Sequence, residues 1–160
     1  MTMKRLLTAA RCALVAPALM FMAVAASAEP LAAQSIEGAW RAETYLLAGG
    51  ETHAVDGMIF FTATDWTVLF FVVDAEGVAR RGSGEGGTYA LVGDELTFRH
   101  RYNLSAGDAM EGLPASELRM QIRGAADEAV EPCTIELSVG RLSIHFPSGN
   151  RMGFSRSSRP

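Results

Sequence analysis

The run Thr97-Phe98-Arg99-His100-Arg101-Tyr102 sets an imidazole and a phenol two residues apart. In an extended chain both would leave the same face as Leu96 and Phe98. An imidazole changes charge near neutral pH, and a phenol can donate or accept a hydrogen bond. Set in an apolar wall, such a pair would orient a small guest molecule. With a carboxylate beside it, the pair could serve general acid–base chemistry such as isomerisation or cyclisation. Glu95 is close in sequence but falls on the opposite face, which counts against that trio.

Other groupings carry less. His53, His100 and His145 could in principle meet Asp56 at a metal, but none has the close spacing of a zinc motif, and His53-x-x-Asp56 reads as a solvated turn; no metal is expected. Gly82, Gly84 and Gly87 match Gly-x-Gly-x-x-Gly. That turn must open a helix whose amino terminus holds a pyrophosphate, and here it runs into a strand pattern. It is read as a flexible rim loop, and no cofactor is expected. A Gly-x-Ser-x-Gly elbow is absent. No catalytic residue is assigned. Cys133 is expected to be a buried, idle thiol.

The elements that would carry these groups are strands. "AWRAETYLL" alternates Trp40, Ala42, Thr44 and Leu46 against Arg41 and Glu43. "VDGMIFFTA" and "WTVLFFVVD" are aromatic and β-branched, and they flank Thr64-Asp65. "GTYALVGDELTFRHRYNL" reads as strand, Gly93-Asp94 turn and strand, and "CTIELSVGRLSIHF" hinges at Gly140-Arg141. "SAGDAMEGLPASE" has room for one helical turn before Pro114. Nine or ten strands without a long helix point to an all-β sandwich or a closed barrel.

The apolar run Phe60 to Val73 is not a membrane span, because Asp65 at mid-bilayer would cost about 2.5–3.5 kcal/mol. It is a hairpin reversing at the polar Thr62, Thr64, Asp65 and Thr67. Its second arm is apolar on both faces, Val68, Phe70 and Val72 on one, Leu69, Phe71 and Val73 on the other. Both faces are therefore expected to be covered.

The amino terminus has the three parts of a secretory leader: Lys4, Arg5 and Arg11, an apolar run from Cys12 to Ala25, and Ala26-Ser27-Ala28 as a cleavage site. The expected organisation is a signal peptide at 1–28, a spacer at 29–35 and one β domain at 36–157. Cleavage leaves 132 of 160 residues, with 11 basic against 18 acidic side chains, a net −7. That balance disfavours nucleic acid and suits a soluble monomer in the periplasm or outside the cell, with no membrane insertion once the leader is gone. Cys133 alone remains, so no internal disulfide is available and the core must hold the fold.

Gly38-Ala39-Trp40, opening the first strand, resembles the Gly-x-Trp of lipocalins and bacterial lipocalin-like domains, members of the calycin superfamily. Gly87-Thr88-Tyr89 is similar to a Gly-x-Tyr frequent in those domains. The later Thr-Asp-Tyr signature of lipocalins is absent, since Thr64-Asp65-Trp66 falls between early strands. The resemblance implies a single antiparallel up-and-down barrel of about eight to ten strands, closed at one end by Trp40 with Arg156 packed across it. It further implies a small hydrophobic ligand inside, bound without catalysis. Phe60, Phe70, Phe98, His100 and Tyr102 are the candidate contacts, chosen by alternation. The alternatives are an isomerase or cyclase of the same shape on a lipophilic substrate, and a periplasmic interaction or inhibitor domain.

Overall fold

Reversals of the chain fall where a glycine or a polar pair permits them. Gly93 and Gly140 adopt φ of +64° and +72°, a region that costs residues with a Cβ but not glycine, and each closes a tight hairpin. At Thr62–Asp65 the turn is held by side chain instead. The Thr62 hydroxyl accepts the Asp65 N–H at 3.0 Å, and the Thr62 N–H donates to the Asp65 carbonyl at 2.8 Å.

The computed structural model describes residues 35–157. They form β1 (Gly38–Leu46), β2 (Thr52–Phe61), β3 (Asp65–Val73), β4 (Ala79–Val92), β5 (Glu95–Gly107), β6 (Ser116–Ile122), β7 (Ala129–Ser138), β8 (Arg141–His145) and β9 (Arg151–Arg156). The leader at 1–28 and nearly all of the spacer at 29–35 lie outside the described residues. No helix occurs among the described residues: the Ser105–Glu117 stretch ends β5, turns, and forms one Met110–Leu113 bridge.

Every pairing is antiparallel. β1 to β5 follow one another around the sheet, then come β7, β8 and β9, and β9 returns to β1. Eight strands thus close an up-and-down, lipocalin-like barrel, as expected, and closure removes the free edges of the ring. The ninth strand, β6, stands outside it. β5 is long enough to hold two neighbours on one edge: Glu95 to His100 pair with β7, and Tyr102 to Gly107 pair with β6.

Inward residues fill the lower barrel. Trp40, Leu96, Phe98, Leu142 and Ile144 are essentially inaccessible to solvent. At the floor the Arg156 guanidinium lies over the Trp40 indole, 4.2 Å from its centroid. Arg156 also donates to the Glu37 and Ser35 carbonyls, and the indole N–H donates to the Ile36 carbonyl at 2.7 Å. The expected indole–guanidinium closure is present.

Three local expectations are corrected. The Gly82–Gly87 run is not a loop but the middle of β4, hydrogen-bonded on both sides. His53 and Asp56 lie in β2 and not in a turn. The second face of the β3 arm is not covered by anything described: Val68 and Val72 are buried inside the barrel, whereas Leu69 and Phe71 are exposed on its outside.

Two bulges also override simple alternation. Against β9, β1 carries an extra residue near Glu43 that shifts the register, so that Thr44 faces solvent and Tyr45 turns inward. In β5 Arg101 is extra, because Gly87 pairs with His100 and Gly86 with Tyr102. A bulge puts two residues opposite one and resets which face follows.

Candidate functional site

The upper barrel encloses a cavity of about 530 Å³, open at the end opposite Trp40. Its apolar wall comes from four strands: Ile59 from β2, Val68 and Phe70 from β3, Phe98 from β5 and Met152 from β9. Trp66 adds its indole, 4.2 Å centroid to centroid from the Phe98 ring. The indole N–H of Trp66 is buried and has no hydrogen-bond partner among the described residues. At the mouth the Tyr45 hydroxyl accepts from the Asn150 amide at 2.8 Å, and Asn150 is itself held by the Ala48 N–H at 3.0 Å. Burial, only partly offset by that bond, raises the Tyr45 pKa, so the phenol is neutral at physiological pH.

A polar cluster is set into this wall. His100 Nδ1 lies 2.8 Å from Glu85 Oε2, and Nε2 lies 3.1 Å from Glu131 Oε2. Ser83 donates to the other Glu85 oxygen at 2.8 Å. The Trp66 ring packs at right angles to the imidazole, centroids 5.1 Å apart. Burial opposes charge on His100, but hydrogen bonds to Glu131 and Glu85, with their negative charge, outweigh it and push the pKa up to about 9. The imidazole is therefore doubly protonated at neutral pH and donates from both nitrogens. Burial likewise raises the Glu85 pKa, yet the bonds from His100 and Ser83 prevail and lower it.

Backbone geometry places these groups. β4 alternates glycine with side chain, so Ser83 and Glu85 face inward between Gly82, Gly84 and Gly86. Glu131 pairs with Phe98 across β5 and β7, one step diagonal to His100. At Gly87 a Cβ would lie 1.9 Å from the Arg99 carbonyl oxygen; only glycine lets β4 approach the β5 bulge this closely.

Of the five candidate contacts, Phe70, Phe98 and His100 line the cavity. Phe60 and Tyr102 do not; both are exposed. Phe60 sits on the outward face of β2, where inward Ile59 and Phe61 flank it. Tyr102 was expected beside His100, but the extra Arg101 turns it outward and brings Asn103 in. His53 and His145 lie away from the cluster, beside the Glu111 carbonyl and Glu136 respectively.

Sequence reasoning missed Glu85, Glu131, Tyr45 and Trp66. Glu131 had a usable signal, since it keeps step with inward Cys133 and Ile135. Glu85 was hidden by the glycines that suggested a loop. Cys133 is buried as expected, and burial with the nearby Glu131 charge pushes its thiol pKa up to about 12.

No family model matches this sequence, and no curated protein matches it. Among solved structures it is similar to a lipocalin-like protein from Bacteroides uniformis ATCC 8492. The identity is 15%, the TM-score 0.46, and the match covers 76% of this chain and 97% of that one.

Proposed function

We propose that this barrel binds a small, largely apolar molecule in its interior and does not transform it, and that it does so in the periplasm or outside the cell. The observation that carries this reading is the cavity of about 530 Å³, in which an apolar wall stands beside a cluster of polar groups fixed by their own hydrogen bonds. That size and lining suit a small-molecule site. The leader pattern at 1–28 supports export.

An isomerase or cyclase would need a base in the same wall. His100 is a poor one, because both ring nitrogens carry protons held by carboxylates and no lone pair is free. This counts against turnover with His100 as the base.

Titration with a neutral lipophilic fluorophore such as N-phenyl-1-naphthylamine tests the proposal. The expected result is saturable binding at one probe per chain, with a change in Trp66 emission. V68W, which fills the cavity, should abolish binding in a protein that still melts cooperatively. A folded wild-type protein that takes up no probe would refute an open interior, and undiminished binding by V68W would place the probe elsewhere.

A further inference from the structure

The outer surface of the barrel is not uniform. Across β7, β8 and β1 it carries Thr134, Glu136, Arg141, Arg41 and Glu43, as a solvated face should. Across β3 to β6 it is richer in apolar side chains. One row runs from Leu69 over Gly84 to Leu104 and Met120. The next has Thr67 at one end and Tyr102 and Ile122 at the other, with the Arg101 guanidinium over the Tyr102 ring. Leu69, Leu104, Met120 and Ile122 are 53%, 49%, 73% and 80% exposed. The intervening glycines leave this face smooth. Contiguous exposed apolar surface of this kind marks an interaction site.

The patch ends at β6, whose one sheet neighbour among the described residues is β5. All seven of its residues are exposed. Alternate residues of an antiparallel strand direct their backbone groups to the same side. The Arg123 N–H donates to the Arg101 carbonyl at 2.8 Å, so Leu118, Met120 and Ile122 present theirs to the open edge. β6 holds no proline or lysine to blunt that edge.

We propose that a second copy of this chain occupies the edge, β6 pairing antiparallel with β6 about a twofold axis at Met120. The strand is complementary to itself in that register. Met120 faces Met120, Leu118 faces Ile122, Arg119 faces Gln121, and Glu117 faces Arg123 just beyond the strand. Pairing centred on Arg119 would set two guanidiniums together and put Ile122 against Ser116. Centring on Met120 opposes all three apolar residues with apolar ones and joins the two outer patches into one surface. Both copies contribute the same patch, as a closed twofold interface requires. The acidic excess that argued for a monomer lies elsewhere, because Glu117 to Arg123 carry one acidic and two basic residues.

Sedimentation equilibrium across the micromolar range tests this. The wild-type protein should run at twice the monomer mass and M120K at the monomer mass. Met120 is too exposed for that change to disturb the core, and circular dichroism checks it. E117R and R123E should each dissociate the dimer by opposing like charges, and the E117R/R123E double variant should restore it. If M120K fails to fold, the charge exchange decides alone. Wild-type protein at monomer mass throughout would overturn the proposal. So would a dimer indifferent to all these changes. A monomer that floats with phosphatidylcholine vesicles, and loses this in M120K, would assign the patch to lipid instead.

Discussion

His100 is held by two carboxylates, and its protonation is therefore coupled to the fold. Its pKa rises from 6.5 to about 9 on folding. Such a group stabilises the native state fully below pH 6.5 and loses that contribution as pH climbs through about 9. The gap corresponds to about 3 kcal/mol. Glu85 acts in the opposite sense: with its pKa lowered from 4.5, its contribution is complete above that value and is lost as pH falls. Stability from this cluster should be greatest between pH 4.5 and 6.5. H100Q should cost about 3 kcal/mol at pH 6 and far less at pH 9.5, read from urea midpoints at the two pH values. Equal losses at both would show that the imidazole is not charged. The inward histidine was legible because Leu96, Phe98 and His100 keep strict alternation. Of its partners, Glu131 kept step with inward Cys133 and Ile135, whereas Glu85 was masked by its glycines. Nothing local tells that β4 and β7 bring the two carboxylates to one imidazole.

At the scale of the strand, bulges decide which side chains reach the cavity. The β5 bulge depends on Gly87, where no Cβ fits against the Arg99 carbonyl. G87A should cost about 1–3 kcal/mol as forced overpacking and weaken the His100–Glu85 contact next to it. Denaturation measures the first effect, and the His100 titration by NMR the second, as a pKa moved back toward 6.5. The strands and their tight turns were readable because β-branched runs and Gly93, Gly140 and Thr62–Asp65 are local signals. The inward position of Tyr45 and the outward one of Tyr102 were not. A bulge inserts one residue without marking it in composition, and every later residue then changes face. β6 hid similarly: its alternation was clear, but nothing in the sequence separates a strand within the ring from one beside it.

For the whole molecule, closure depends on the β1–β9 seam and its floor. Arg156 covers Trp40 and ties down the Glu37 and Ser35 carbonyls. R156A should cost about 1–3 kcal/mol, combining the lost stacking with the lost hydrogen bonds. It should also raise the access of acrylamide to Trp40, seen as stronger quenching. A variant as stable and as well shielded as wild type would mean that the seam closes without the guanidinium. The seam joins groups 119 positions apart in the chain. Bringing such distant segments together is slow, because the entropy of the intervening loop is lost before the contact forms. During synthesis β1 therefore waits without its second neighbour until Arg156 has left the ribosome. Until then the ring cannot close, and the Trp40 indole lacks the guanidinium that covers it.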